Sequence, residues 1–185
     1  MAGFQVIVSL LLLAALSVAA DDEEKGPLSW EPVTRGEDPP DNAIIGGFRR
    51  VAGKDQPDYV GRVWRASAII PGGVSKYDGK HYASATLRGT SYVNLDTYEV
   101  AVDHSSRIRW VPAALGAVPT GAVPSGVTAD GQPLYVCRVM DTDLSVHKDQ
   151  FMLRVGVLDT ESKKCHMDFH GPQAFPTYEV LVSDD

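Results

Sequence analysis

The chain lacks most of what would mark an enzyme, a membrane protein or a nucleic-acid binder. There is no nucleophile elbow, no HExxH pair and no phosphate-binding glycine loop in its 185 residues, so no chemistry with a recognisable local signature is encoded. Asp103-His104-Ser105 sets three familiar residue types side by side, but catalytic groups meet through a fold and not through adjacency. We expect no enzyme and no cofactor. Basic residues are outnumbered, 17 Lys and Arg against 24 Asp and Glu, for a formal charge of −7; a nucleic-acid partner would need a basic face, and none is expected. No stretch of ten or more residues carries an apolar stripe at helical period, which argues against a helical core. There is also no Asn-x-Ser/Thr acceptor for N-glycosylation.

Long apolar runs are equally scarce, with one exception at the start. Residues 1–20 contain Gln5-Val-Ile-Val-Ser-Leu-Leu-Leu-Leu-Ala-Ala-Leu16, then Val18-Ala19-Ala20, then the acidic Asp21-Asp-Glu-Glu24. The length and the small residues fit a signal peptide cleaved after Ala20. A membrane anchor would need a longer run and basic flanks. The expectation is therefore a secreted, extracellular protein with no membrane span. Residues 21–29 form an acidic, proline-containing lead-in, and the irregular character extends to about residue 42.

What is abundant is self-similarity. Trp110-Val-Pro-Ala-Ala-Leu-Gly116 restates Trp30-Glu-Pro-Val-Thr-Arg-Gly36, Tyr135-Val-Cys-Arg-Val139 restates Tyr59-Val-Gly-Arg-Val63, and Thr177-Tyr-Glu-Val180 restates Thr97-Tyr-Glu-Val100. The outer pairs are offset by 80 (110 − 30) and the middle pair by 76 (135 − 59). Two units follow, residues 30–102 and 110–182. Solenoid repeats run about 20 to 50 residues and need three or more copies. Two longer copies, each marginal alone, are expected to pack or interlock as one domain, with Trp30 and Trp110 anchoring the core.

The local pattern is β. Tyr59–Arg65, Lys80–Thr86, Tyr98–Val102, Leu134–Val139, Phe151–Leu158, Cys165–Phe169 and Tyr178–Val182 read as strands. Turn signals lie at Pro71-Gly-Gly73, Asp78-Gly79, Arg88-Gly89, Asp130-Gly131 and His170-Gly-Pro172. Short strands and frequent turns predict an all-β, sandwich-like domain. Glu99 and Glu179 recur in the two copies, as do Arg62 and Arg138; inter-strand ion pairs are expected, with a ligand site as the other reading.

Cys137 stands where the first copy has Gly61, and Cys165 where it has Ala83. A paired exchange of small residues for cysteines suits adjacent strands and predicts a disulfide; two buried thiols are the alternative. His166, Asp168 and His170 alternate and would share a strand face, but no fourth ligand is evident and no metal is expected.

The ordered blocks, twice over, resemble the DM9 repeat. They are Trp then Gly six residues on, an apolar-Gly stretch (Ala43-Ile-Ile-Gly-Gly47; Ala122-Val-Pro-Ser-Gly126), a Tyr-Val-x-Arg block, Pro71-Gly72 in the first copy, and a closing Tyr-Glu-Val. The resemblance implies a non-enzymatic module of two interlocked β-repeats. Some relatives are invertebrate lectins that recognise mannose in innate defence, using an Asp after the apolar-Gly block and a Lys in a Pro-Gly-Lys turn. A carboxylate and an ammonium can clamp vicinal hydroxyls. This chain departs from that pattern: Arg49 occupies the Asp position and Gly73 the Lys position of the first copy. The second copy offers Asp130, about two residues late, and Lys148, about one residue out of register. The expected glycan site is Asp130 with Lys148; Arg49, with Lys76 or Asp78, is its first-copy substitute. The partner is a mannose-type glycan of a microbial surface, with affinity raised by two sites or by homodimerisation. The alternative is a protein-interaction module that has lost the sugar site.

Overall fold

The computed structural model describes residues 28–51, 53–104, 107–141, 152–168 and 171–184. The segment expected to be a signal peptide lies outside them, as do Lys148, Phe151, Phe169 and His170. The described residues form fourteen strands and no helix. The first seven are β1 Leu28–Thr34, β2 Ile45–Val51, β3 Lys54–Arg65, β4 Ala68–Tyr77, β5 Lys80–Leu87, β6 Thr90–Leu95 and β7 Thr97–Asp103. The second seven are β8 Ile108–Ala114, β9 Pro124–Val127, β10 Pro133–Asp141, β11 Met152–Asp159, β12 Lys164–Asp168, β13 Pro172–Phe175 and β14 Thr177–Ser183.

Every pairing in the first seven has its equivalent in the second. β1 pairs β7 as β8 pairs β14, β2 pairs β3 as β9 pairs β10, and β3, β4, β5 and β6 meander as β10, β11, β12 and β13 do. All are antiparallel. Even the isolated bridges match, Ala43 with Val102 and Ala122 with Val182. The halves join by exchange. β2 pairs β11 of the other half through Phe48↔Leu153 and Arg49↔Met152, and β9 pairs β4 through Val127↔Ile69. The result is one continuous fourteen-stranded antiparallel network.

Two glycines make this exchange sterically feasible. A Cβ on Gly47 would sit 1.9 Å from the Leu153 carbonyl oxygen, and one on Gly126 would sit 2.2 Å from that of Ile69. The apolar-Gly block is therefore the seam, where backbone meets backbone.

The core has three parts. One cluster gathers Val63, Ile70, Val74, Ala83, Tyr98 and Val100 of the first half. Its equivalent gathers Val139, Leu158, Tyr178 and Val180 around Cys137 and Cys165. A third, shared by both halves, contains Val60, Ala101, Val136, Val155 and Leu181, with Trp30 and Trp110 packed against it. The tryptophans are half-buried, and each carries an arginine over its ring: Arg62 and Arg138 both stand 4.3 Å from the ring centre. Each arginine also binds a glutamate, Arg62 to Glu99 at 2.5 Å and Arg138 to Glu179 at 2.6 Å.

Two local expectations need correction. The lead-in is not irregular throughout, because Leu28–Thr34 is a strand laid along β7. Pro71-Gly72-Gly73 is not a turn; it lies inside β4, where a Cβ on Gly72 would come within 2.0 Å of the Ser84 carbonyl oxygen. These glycines serve close strand approach and not chain reversal. His166 is buried, with its Nε2 2.6 Å from Ser162 Oγ. The Cys137–Cys165 disulfide is present, with Cα atoms 6.0 Å apart.

Candidate functional site

The first repeat places polar groups on both faces of the β2–β3–β4 sheet. On one face, Arg49 and Gln56 are direct cross-strand partners, and Asp58 follows two positions along. Asp58 is fully buried and accepts hydrogen bonds from Ser75 Oγ at 2.6 Å, Arg154 Nε at 3.2 Å and the Val155 amide at 3.2 Å. Counting along the ladders, its second-half equivalent is the buried Leu134, so this polar cluster replaces an apolar contact.

That replacement explains the lost lysine position. A Cβ at residue 73 would fall 2.7 Å from Asp58 Oδ1, so the space is taken by the carboxylate. Arg49 is half-buried above this group. Burial is the largest influence on its guanidinium and pulls its pKa down; Arg154 adds to that, while Asp58 and Tyr77 oppose it. Arg49 Nε and Gln56 Oε1 are both buried without a hydrogen-bond partner among the described residues. Tyr77 lies within electrostatic reach of Arg49, its side chain 68% exposed. An orphan donor, an orphan acceptor and an open aromatic ring thus share one face.

The corresponding face of the second repeat is self-satisfied. Thr128 stands at the Arg49 position and Gln132 at the Gln56 position. Thr128 Oγ1 donates to Asp130 Oδ1 at 2.5 Å and accepts the Gln132 amide at 2.9 Å. The Thr128 hydroxyl is the largest influence in lowering the Asp130 pKa. Nearby, Arg88 reaches across from the first half to the buried Asp159 and to Glu161. Asp130 therefore closes a turn. The register also sets Gly156 opposite Cys137 as Gly72 is opposite Gly61, so Val157 takes the place of Gly73.

The opposite face of the first repeat carries a cleft of about 420 Å³, lined by Asp38, Asp41, Tyr59, Lys76 and His81 among others. Lys76 Nζ lies 3.5 Å from Asp38 Oδ1. Lys76 thus belongs to this cleft and does not join Arg49. Asp78 sits in the β4–β5 turn, at φ 48°. Among the described residues no group of three or more His, Cys, Asp or Glu could hold a metal ion, and no helix is long and apolar enough to cross a membrane.

Sequence reasoning singled out Arg49 and Asp130 but passed over Gln56, Asp58 and Tyr77. The signal was available: Asp58 stands where the second copy has Leu134, an acid inside an otherwise apolar repeat position.

The described residues thus form an all-β pair of interlocked repeats with a polar face and a charged cleft on the first. The DM9 repeat model matches residues 52–172, and the chain belongs to that family, whose modules bind carbohydrate or protein. No curated protein matches the chain. Among solved structures it is similar to the nematode sperm cell motility protein MFP2B, at TM-score 0.57 and 10% identity over 84% of this chain. The match spans 46% of that protein, less than half its length, and shows a shared fold.

Proposed function

We propose that the protein is a secreted carbohydrate-recognition module of the mannose-type lectin kind, acting in innate defence, with its primary site on the Arg49 face of the first repeat. The observation that carries this is the juxtaposition of Arg49 Nε and Gln56 Oε1, a buried donor and a buried acceptor with no partner among the described residues. A hydroxyl both donates and accepts, so vicinal hydroxyls of a sugar satisfy both groups at once. Tyr77 supplies the open ring against which a sugar face packs. The family's acid and base are exchanged here: the cation comes from the Asp position, and the buried Asp58 takes the space of the Lys position.

Secretion is supported by the apolar segment at residues 5–16 and by the disulfide, which belongs to oxidising compartments. The self-satisfied Thr128–Asp130 turn makes the second repeat the weaker candidate, with Asp130 and Lys148 its proposed residues. A protein-interaction role is the second reading, favoured by the loss of both family sugar-binding residues in the first repeat, where Arg49 and Gly73 stand instead.

A glycan panel with mannan, competed with free mannose, tests the proposal on the parent protein and on Arg49→Ala, Asp130→Ala and Lys148→Ala. Loss of a charge-assisted hydrogen bond, about 1.5–3 kcal/mol, predicts a roughly tenfold or greater weakening for Arg49→Ala. Weakening confined to Asp130→Ala and Lys148→Ala moves the site to the second repeat. Binding to no glycan leaves the protein-interaction reading.

A further inference from the structure

The cleft on the opposite face counts Gln56 among its lining but not Arg49, Asp58 or Tyr77, and its chemistry differs. Asp38, Asp41 and Asp55 line it against a single ammonium, Lys76. Asp55 is held by Arg50 at 2.7 Å, and Lys76 stands 3.5 Å from Asp38, so Asp41 brings the cleft a carboxylate with no ion pair among the described residues. Pro39, Pro40, Ile45 and Tyr59 provide apolar wall. At the back lies His81, 4% exposed. Its buried Nδ1 is 3.3 Å from Asp38 Oδ1 but too poorly directed to make a hydrogen bond.

The second repeat keeps the shell of this cleft and not its carboxylates. Pro119, Ala122, Pro133 and Tyr135 match Pro40, Ala43, Pro57 and Tyr59, whereas Asp41, Asp55, Lys76 and His81 are met by Thr120, Gly131, Thr160 and Lys163. The fold therefore does not require the charged groups. They are an addition to one repeat, gathered around a cavity.

We propose that this cleft is a second binding site, for an organic ammonium group on a short aliphatic or sugar stem. The carboxylates Asp38 and Asp41 receive the cation, Tyr59 and the prolines cover its stem, and the unbonded imidazole nitrogen of His81 meets a polar hydrogen at the back. An anionic ligand would face three carboxylates and one lysine. An uncharged sugar would leave Asp41 without a counter-charge.

The test is titration of the purified protein with cadaverine and with glucosamine, using N-acetylglucosamine as the uncharged control and following the His81 ring nitrogens and Tyr59 by NMR. Saturable shifts with at least one amine and none with the control are expected. The tighter of the two amines identifies the stem, aliphatic or sugar. Asp38→Asn and Asp41→Asn, both at exposed positions, each weaken binding about fivefold or more, as does raising salt from about 0.05 to 0.5 M. Arg49→Ala leaves amine binding unchanged, which separates this site from the glycan face. The proposal is overturned if neither amine shifts these signals, if N-acetylglucosamine shifts them equally, or if both asparagine variants bind as the parent does.

Discussion

The Arg138 guanidinium stands 4.3 Å from the centre of the Trp110 ring, the distance that also separates Arg62 from Trp30. Each arginine is held between that ring and a glutamate, with less than a fifth of its side chain exposed. The same three-part stack thus closes the shared core from both halves. Truncating the arginine strands a partly buried carboxylate and uncovers an indole. Arg62→Ala and Arg138→Ala should each cost about 2–3 kcal/mol in urea unfolding. The double change Arg62→Met with Glu99→Gln should cost less than Arg62→Ala alone, since no charge is left unpaired.

Tyr98 and Tyr178 are repeat equivalents with different hydroxyl environments. Tyr178 Oη accepts the Gly116 amide at 2.9 Å and donates to the Ala117 carbonyl at 3.3 Å, whereas the buried Tyr98 Oη has no partner among the described residues. Tyr178→Phe should cost about 1–2 kcal/mol by leaving the Gly116 N–H unmet, and Tyr98→Phe should be close to neutral at pH 7.

The same contrast predicts an alkaline limb. Burial, with a smaller contribution from Glu37, pushes the Tyr98 phenol from its ordinary 10.0 up to about 12. The folded state holds this proton more tightly than the unfolded chain does. Its contribution is therefore whole below pH 10.0 and is lost as pH rises toward about 12. Urea stability should fall by about 2–3 kcal/mol across that window, and Tyr98→Phe should remove that part of the decline.

The disulfide fills the second-half core where the first half has Gly61 and Ala83, and it closes a sequence separation of 28. Reduction, or Cys137→Ala with Cys165→Ala, should lower unfolding free energy by about 3–4 kcal/mol in the loop-entropy account. Urea titration with and without reductant measures it. The glycan face should survive reduction under native conditions, because it lies in the first repeat.

Periodicity made the start of the repeated strands legible, since Tyr98-Glu-Val100 and Tyr178-Glu-Val180 alternate buried and half-buried side chains, while Ala101 and Leu181 are buried as well, in the core shared by both halves. Strands such as Ile45–Val51 and Pro124–Val127 were not legible. Their glycines exist to let carbonyls of the other half pass at close range, and that need is invisible before the partner strand is known. Gly47→Ala and Gly126→Ala should each destabilise by about 2 kcal/mol or more, and by similar amounts, because both block the same seam. The site was half legible. Arg49 was visible as a departure from the repeat pattern, but Gln56 gains meaning only from the ladder that sets it opposite Arg49.

The most direct test of the glycan site follows the Arg49 Nε–Hε resonance while a mannose oligosaccharide is titrated into the protein. A saturable shift at Arg49, with the Gln56 side-chain amide moving in parallel and Asp130 unaffected, is the predicted result. Oligosaccharide binding that leaves both the Arg49 and Gln56 signals unmoved would contradict the account.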